Sequence, residues 1–338
     1  MERKNNKKAI VMLSGGLDSS LALKMINDQG IEVLALHFTS SFCKCDGAGA
    51  CGSTAKKVSD LVGSELKIIR LGQEYLDLIK APKHGYGKNM NPCIDCRILK
   101  FKYGRKIMEE VGASFIVTGE VLGQRPMSQH KRAMMTIEKE SDLEGLIVRP
   151  LSAKVLEPSI PEKENWVSRD LFLDLQGRNR TPQIKLAEEL GINDYPCPAG
   201  GCLLTDPGFA RRLKDLIEHG TLDTNNAELL KIGRHIKITP EFKFVVGRNE
   251  KENDILKALA QEDDIILEAK EDISGPTCIG RGKASEKDIE IAAQITARYI
   301  TLEQDEIDIA VQKGKNAEKY YIRAYKMKDE DIKKMMLV

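Results

Sequence analysis

The chain has 338 residues, of which 41% are hydrophobic and 30% are charged, and its formal net charge at pH 7 is +1. This length favours two domains. The near-zero net charge excludes nucleic-acid binding through an overall positive field, so a nucleic-acid partner would have to be held by local patches of basic residues. No apolar run approaches the length of a membrane span and residues 1–10 lack the apolar core of a signal peptide, which predicts a cytoplasmic protein without a membrane partner.

An apolar run over residues 9–13 leads directly into the sequence SGGLDSS and then into a helical pattern. A strand that turns at glycines into a helix aims backbone N–H groups and the positive end of the helix dipole at one small volume, which is typical of a phosphate site. Asp18 is a candidate for the helix cap or for a metal ligand. The residues predicted to surround the phosphate are Ser14, Gly15, Gly16, Asp18, Ser19 and Ser20.

This loop resembles the SGGxDS pyrophosphate loop of the ATP pyrophosphatase families, whose members split ATP into AMP and pyrophosphate to adenylate a substrate. The resemblance implies ATP as a ligand, Mg²⁺ on the leaving pyrophosphate and a catalytic role for Asp18. The plainer alternative is a serine-rich helix cap after a strand.

Strand and helix patterns alternate through the first half of the chain. Strands are predicted at residues 9–13, 31–38, 66–71, 114–119 and 146–151. This order predicts an α/β fold with a doubly wound parallel sheet, and the resemblance implies the PP-loop, adenine nucleotide alpha hydrolase-like architecture. Ligands of such sheets bind beyond the carboxyl ends of the strands. His37, Thr118 and Gly119 lie at such ends and are candidate nucleotide contacts, although a histidine there is also typical of a satisfied core position.

Three segments are predicted along the chain. Residues 1–157 form the PP-loop ATP pyrophosphatase domain, the proline-rich residues 158–208 form an irregular extension that completes the active site, and residues 209–338 form a smaller α+β domain. The stretch FKFVVGRNEKEN and the tail strand KYYIRAYKM resemble the RNA-binding domain of the NFACT proteins, which touches tRNA in its own family. That resemblance implies an RNA-binding role for the third segment.

A second informative stretch, NPCIDCRILKFK, places Cys93 and Cys96 at the start of a predicted helix. The helix dipole there favours the thiolate form that metal binding and nucleophilic attack need. The residues alone leave open a redox pair, half of a metal site, and two incidentally close core cysteines. Basic side chains cluster around Arg97 and around Arg125, which predicts RNA backbone contacts near the ATP site.

The CxxC stretch resembles the NPxxxCNxxIKF motif of the tRNA 2-thiouridine synthetases, with Cys96 at the catalytic position and Cys93 where many of those enzymes have aspartate. The sequence TGEVLGQ resembles an element of the tRNA 4-thiouridine synthetases, which also have a cysteine at about the place of Cys202. The resemblance implies a catalytic Cys202 and a 4Fe–4S cluster on Cys93, Cys96 and Cys202, whose open iron binds sulfide. Cys197 is the alternative third ligand.

Cys43, Cys45 and Cys51 lie in a glycine-rich loop without an obvious fourth ligand. Zinc binding, a second cluster and sulfur relay all remain open for them.

These resemblances together imply ATP-dependent tRNA uridine thiolation, in which a uracil carbonyl is adenylated and sulfur from the cluster replaces its oxygen. The implied partners are tRNA and sulfide or a sulfur-donor protein, with a second copy of the chain left open. The alternatives are a cluster-free cysteine-persulfide tRNA thiolase, a different PP-loop ligase or amidotransferase, and an RNA-binding module with a vestigial nucleotide site.

Overall fold

The structure, a computed structural model, describes residues 7–43, 50–192, 202–271 and 273–337. Cys45 and Cys197 lie outside the described residues, and so does the side chain of Cys51. The chain divides into two compact units between Leu203 and Leu204. No helix within the described ranges has both the length and the apolar character needed to cross a membrane.

The first unit is built from alternating strands and helices. Its strands are β1 (Lys8–Met12), β2 (Glu32–Thr39), β3 (Glu65–Arg70), β4 (Phe115–Thr118) and β5 (Ile147–Val148). Its helices are α1 (Leu17–Asn27), α2 (Ala50–Leu61), α3 (Gln73–Lys80), α4 (Cys93–Glu110), α5 (Lys131–Glu140), α6 (Ile160–Lys163) and α7 (Thr181–Glu189).

The five strands form one parallel sheet in the order β3-β2-β1-β4-β5. Successive residues of β1 face opposite sides, so Ala9 and Val11 pack in one core with α1 and α2, while Ile10 and Met12 pack in another with α4 and α5. The predicted doubly wound α/β fold is confirmed. Strands β2 and β3 lie on one side of β1, and β4 and β5 lie on the other, so the strand order reverses at β1. The carboxyl ends of β1 and β4 therefore form the crevice in which such sheets bind ligands.

Residues that follow the sheet fold back onto α1. Ala187 of α7 and the nearby Ile192 share a buried cluster with Leu17 and Leu21 of α1. The extension therefore covers the outer face of the helix that begins at the glycine turn.

The second unit has an antiparallel sheet in the order β11-β10-β8-β9-β7-β6, which confirms the predicted smaller α+β domain. Its strands are β6 (Arg234–Lys237), β7 (Phe242–Val246), β8 (Ile265–Ala269), β9 (Cys278–Gly282), β10 (Glu306–Lys313) and β11 (Lys319–Tyr325). Its helices are α8 (Pro207–His219), α9 (Thr224–Leu229), α10 (Glu250–Leu259), α11 (Glu286–Arg298) and α12 (Asp329–Met335). Helix α11 packs on one face of the sheet, and α9 and α10 pack on the other.

Candidate active site

The glycine turn lies between the end of β1 and the start of α1. Gly15 has a φ of +77°, in the left-handed region that favours glycine. Gly16 precedes the helix and no side chain caps it, so the N–H groups of the first turn are not claimed by a capping residue. This is the geometry that binds a phosphate at a helix N-terminus.

The serine hydroxyls of the turn bond mainly to the turn itself. Ser19 Oγ and Ser20 Oγ donate to the Gly16 carbonyl at 2.9 and 3.1 Å. The backbone N–H of Ser14 donates to Ser19 Oγ at 3.2 Å, and the two hydroxyl oxygens are 3.0 Å apart. The serines therefore fix the shape of the loop.

Asp18 does not cap α1, because Gly16 occupies the cap position. Its Oδ2 accepts a 2.6 Å hydrogen bond from Nε2 of Gln124, and the Arg180 guanidinium lies 3.9 Å from the same oxygen. Its Oδ1 is buried and has no hydrogen-bond partner among the described residues. A buried carboxylate oxygen without a donor suits a hard cation such as Mg²⁺.

Gly119 follows β4 and lies directly against the start of α1. A Cβ atom at this position would lie 2.4 Å from the backbone carbonyl of Asp18 and 2.4 Å from the nitrogen of Ser19. Only glycine permits this approach, which holds the β4 turn against the phosphate loop. The neighbouring Thr118 hydroxyl accepts the N–H of Glu120 at 3.0 Å.

His37, near the end of β2, is buried, and its Nδ1 lies 2.9 Å from the Leu13 carbonyl. Burial lowers the pKa of His37, which favours the neutral ring. This environment is that of the satisfied core histidine, and a nucleotide contact for His37 stays a prediction.

Glu120 is the centre of a buried charge network. Nε of Arg149 donates to it at 3.0 Å, and the Arg97 guanidinium lies 3.2 Å from its other oxygen. Burial by itself raises the pKa of Glu120, but Arg97 and Arg149 bring it below the ordinary value. Arg97 follows Cys96 on α4, so this network ties the thiol-bearing helix to the end of β4.

Arg125 connects the phosphate loop with the CxxC sequence. Burial and the charge of Arg97 lower its pKa, while Cys93 and Asp18 act in the opposite direction. Cys93 begins α4, and its Sγ is 3.6 Å from the hydroxyl of Ser128. Arg125 is an exposed residue within electrostatic reach of both the loop carboxylate and the first thiol. Arg97 pairs with Glu120 inside this unit, and the RNA contacts expected of the two basic clusters stay a prediction.

Three more of the described thiols, Cys43, Cys96 and Cys202, are within electrostatic reach of Tyr75, on α3. The phenol is within hydrogen-bonding reach of Cys96, and its ring packs edge-on against Phe42, with centroids 6.0 Å apart. Burial, followed by the influence of Cys96, Cys202 and Cys43, raises the pKa of the Tyr75 phenol well above its ordinary value. Cys202 also donates from Sγ to the Phe42 carbonyl at 3.5 Å.

Among the predicted cluster ligands, Cys96 and Cys202 influence the Tyr75 phenol, as does Cys43, and Sγ of Cys93 lies 3.6 Å from the Ser128 hydroxyl. Cys93 and Cys96 are three residues apart on α4, so they lie one helical turn from each other. Within the described ranges, no group of three or more histidine, cysteine or acidic side chains is placed to hold a metal ion.

Sequence reasoning missed several residues of the site, Tyr75 and Gln183 among them. Gln183 donates to Oε1 of Gln124 at 3.1 Å and so supports the amide that contacts Asp18. His84 was also missed, and its ring lies 3.0 Å from Asp95 Oδ1 on one side and 3.0 Å from Glu140 Oε1 on the other. The signal that could have indicated His84 was Asp95, inside the CxxC sequence, because a buried carboxylate needs a hydrogen-bond partner.

In the second unit, one face of the edge strand β11 alternates basic and aromatic residues. Lys319, Tyr321, Arg323 and Tyr325 point to this face and are exposed. The tyrosines are 49% and 62% exposed, and the Lys270 ammonium lies 5.8 Å from the Tyr321 ring centroid. Exposed aromatic rings between cations suit stacking with the bases of single-stranded RNA.

Two family models match the chain. Residues 7–144 match the tRNA methyl transferase HUP domain, and residues 233–336 match the NFACT protein RNA binding domain.

Among curated proteins, the chain is similar to the tRNA-specific 2-thiouridylase MnmA of Marinobacter nauticus, with 28% identity over 68% of this chain and 58% of the relative. It is also similar to the MnmA of Proteus mirabilis, with 29% identity over 42% of this chain and 41% of that protein. The chain spans about half the length of the curated relatives it matches.

Among solved structures, a 4-thiouridine synthetase in complex with RNA and bound ATP aligns with a TM-score of 0.38 and 21% identity, over 63% of this chain and 50% of that one. The U34-tRNA thiolase NcsA of Methanococcus maripaludis, solved with its [4Fe-4S] cluster, aligns with a TM-score of 0.35 and 23% identity, over 65% of this chain and 75% of that one.

Proposed function

We propose that this protein is an ATP-dependent tRNA thiouridine synthetase, because residues 7–144 match the tRNA methyl transferase HUP domain and residues 233–336 match the NFACT protein RNA binding domain. The observation that carries the proposal is the segment after β4, in which Gln124 donates to Asp18 at 2.6 Å and Ser128, four residues later, lies 3.6 Å from Sγ of Cys93. A reaction that uses ATP and sulfur together requires such closeness of the nucleotide loop and the thiol-bearing helix.

The loop at the start of α1 binds the phosphates of ATP through its backbone N–H groups. Mg²⁺ fits at the buried Oδ1 of Asp18, which has no partner among the described residues, and neutralises the leaving pyrophosphate when it is bound. Arg125 adds a fixed positive charge on the side of the thiols. ATP adenylates a uracil carbonyl oxygen, so that AMP becomes the leaving group.

Sulfur then attacks the activated carbon and AMP departs. Cys96 and Cys202 are the thiols that we assign to this step, because both lie at the phenol of Tyr75. The sulfur arrives already at the persulfide level: a cysteine thiolate takes the outer sulfur of a donor protein's persulfide or of inorganic polysulfide, and the donor leaves as a thiolate or a shorter polysulfide.

The cluster on Cys93, Cys96 and Cys202 stays a prediction, because the described residues contain no group of three side chains placed to hold a metal ion. We derive no step through a cluster, and the cluster-free persulfide form is the version that we propose. Iron and acid-labile sulfide, measured on anaerobically purified protein, test this choice directly. Stoichiometric iron and sulfide would restore the cluster form.

The tRNA is the partner that we assign to the second unit. The exposed face of β11 offers tyrosines for stacking and cations for the phosphate backbone. The uridine has to leave the stacked helix to reach the thiols, and unpaired RNA on this face favours such a state.

The test is formation of thiouridine in a tRNA transcript supplied with ATP, inorganic polysulfide and a dithiol reductant, measured by nucleoside mass spectrometry beside the release of pyrophosphate. We expect both products, with thiouridine lost in Cys96→Ser and in Cys202→Ser. Cys278→Ser is the matched control, because Cys278 is buried in the second unit and a serine can keep the contact with Thr296. Pyrophosphate release without any thiouridine, under a range of sulfur donors, would contradict the proposal.

A further inference from the structure

We propose that the adjacent Arg211 and Arg212 of α8, with Arg248 beside them, bind a phosphate group of the RNA backbone. The inference rests on the proposed function only for the identity of the ligand as RNA. Both arginines of α8 precede residues 233–336, the part of the chain that matches the NFACT protein RNA binding domain.

The guanidinium of Arg212 is partly buried and forms no ion pair with any carboxylate of the described residues. It lies 5.6 Å from the centroid of the buried Phe209 ring. Its Nε atom is shielded from solvent and has no hydrogen-bond partner in the described part of the chain. A cation that is partly desolvated and has no counter-charge is unfavourable, and a bound anion would offset that cost.

Two more guanidinium groups lie close to Arg212. Burial lowers the pKa of Arg212, and the positive charges of Arg248 and Arg211 lower it further, whereas Asp206 raises it. The buried His235 is also affected, since burial, followed by the charge of Arg212, lowers the pKa of its ring to about 3. Three like charges are thus held together beside a neutral histidine.

The carboxylates of this region already have other partners. Asp206 caps α8 and accepts an N–H of its first turn at 2.8 Å. Asp215, further along α8, pairs with Lys237 at 2.7 Å, and Glu252 accepts from Nε of Arg248 at 2.9 Å. The two arginines of α8 therefore supply positive charge that these acidic groups leave uncompensated.

The cluster lies on the same face of the antiparallel sheet as the exposed tyrosines of β11. Asp215 of α8 pairs with Lys237 of β6, whose neighbour Ile236 packs in the core with α11. Because successive residues of a strand face opposite sides, α8 lies on the face away from α11. Tyr321 and Tyr325 point to that face as well, since the β11 residues between and before them pack in the α11 core.

This shared face favours RNA as the source of the anion. The planar guanidinium fork matches the oxygens of a phosphate and of a carboxylate alike. The tyrosines of the same face suit the stacking of bases, which an acidic peptide does not offer. A single RNA strand that stacks on β11 carries a phosphate at every nucleotide, so one of them can meet the arginines of α8.

The test measures the affinity of the full chain for a tRNA transcript over a series of salt concentrations, without ATP or a sulfur source. Each phosphate that a protein neutralises contributes about 0.7–0.9 to the steepness of log affinity against log salt. In Arg212→Gln we expect the slope to become shallower by about this amount and the affinity at low salt to fall by about tenfold. In Arg212→Lys, which keeps the charge but not the planar fork, we expect the slope of the wild type with a smaller loss of affinity.

Arg298→Gln is the matched control, because it removes the same charge from the same unit but from α11, where Arg298 pairs with Asp329 at 2.8 Å. Its slope and affinity should stay near those of the wild type. Thermal unfolding shows whether each variant is folded. If Arg212→Gln does not fold, Arg211→Gln, at an exposed position, replaces it with the same expected change of slope.

A slope that is unchanged in the folded arginine variants of α8, or that falls equally in Arg298→Gln, would overturn the inference. Inorganic phosphate tests the other source of the anion. Stabilisation of the wild type by phosphate, compared with chloride at equal ionic strength, together with unchanged RNA slopes would reject the RNA assignment in favour of free phosphate. Since the binding assay contains no nucleotide or sulfur, a shallower slope with no thiouridine formed would reject the proposed function and leave this inference standing.

Discussion

The side-chain amide of Gln124 donates a 2.6 Å hydrogen bond to the carboxylate of Asp18, although the two residues are separated by 106 positions in the chain. Gln183 in turn donates to the Gln124 carbonyl oxygen at 3.1 Å. The carboxylate of the phosphate loop is therefore oriented by the β4 turn and, through it, by α7. The second oxygen of Asp18, Oδ1, is buried and has no hydrogen-bond partner among the described residues. It is the oxygen that we assign to Mg²⁺.

Replacing Asp18 by asparagine tests this assignment. Asp18→Asn keeps the shape of the side chain but removes the charge, so we expect tRNA-dependent pyrophosphate release to fall by roughly 10²-fold or more, as for other preorganised electrostatic groups. Thermal unfolding should change little. Asp28→Asn is the control on the same helix, because Asp28 pairs with Lys24 in an exposed salt bridge. Wild-type pyrophosphate release in Asp18→Asn would refute the metal role.

Removing the Tyr75 hydroxyl should separate the two half-reactions. Tyr75→Phe keeps the buried ring against Phe42 but deletes the donor that is in reach of Cys96. A hydrogen bond to a charged group contributes about 1.5–3 kcal/mol, so we expect thiouridine formation to fall by roughly 10- to 100-fold with pyrophosphate release unchanged. Tyr86→Phe, which removes a hydroxyl that donates to the Ile79 carbonyl at 2.6 Å, serves as the matched control. Equal losses in both half-reactions would show that Tyr75 acts through the fold alone.

The buried network around Glu120 predicts a dependence of stability on acid pH. The pKa of Glu120 lies below its ordinary value of 4.5, so its ionised form stabilises the fold fully above that value. This contribution is lost as the pH falls from 4.5 through the lower pKa of the folded protein. The groups that face Glu120 are Arg97 and Arg149, and Arg149 also pairs with Glu138.

Glu120→Gln should therefore unfold at lower urea concentration at neutral pH, with a loss of about 3–5 kcal/mol, because the buried Arg149 and the partly exposed Arg97 lose a charged partner. Its stability should also fall less steeply than that of the wild type below pH 4.5. The exposed Glu157, paired with Lys131 at 3.7 Å, gives the control Glu157→Gln. Parallel pH profiles of wild type and Glu120→Gln would count against the network.

The β11 face predicts how the second unit holds RNA. Tyr321→Ala and Tyr325→Ala should each weaken tRNA binding by about 1–3 kcal/mol, the range measured for a base stacked on an aromatic ring. Tyr320→Ala changes a neighbouring tyrosine on the opposite face of the strand and should leave the affinity near that of the wild type. Binding is measured by filter retention at a fixed salt concentration. Loss of affinity in Tyr320→Ala alone would place the RNA elsewhere.

The sheet of the first unit could be predicted because buried parallel strands appear as continuous apolar runs. The fifth strand shows the limit of this signal. It was predicted over residues 146–151, but only Ile147–Val148 pairs, because Arg149 turns to the buried Glu120 and Pro150 has no N–H for the ladder.

The thiol site could be predicted only in part. Helix α3 was missed because its eight residues, between Gly72 and Ala81, are too few to show a helical period, and Tyr75 was missed with it. The RNA contacts predicted near Arg97 and Arg125 stay a prediction, while the pairing of Arg97 with Glu120 was missed because a sequence shows charge but not the partner that neutralises it. Gly119 was predicted from a resemblance, and its physical reason, contact with the backbone at Asp18, appears only in three dimensions.

Cys43 and Cys202 form an isolated antiparallel backbone bridge that spans most of the first unit, since Cys202 reaches back 160 positions to the Phe42 carbonyl. During synthesis on the ribosome, the nucleotide loop and the CxxC helix emerge long before the second half of this bridge. The loop after β2 therefore obtains this backbone partner only when nearly the whole of the first unit has been synthesised.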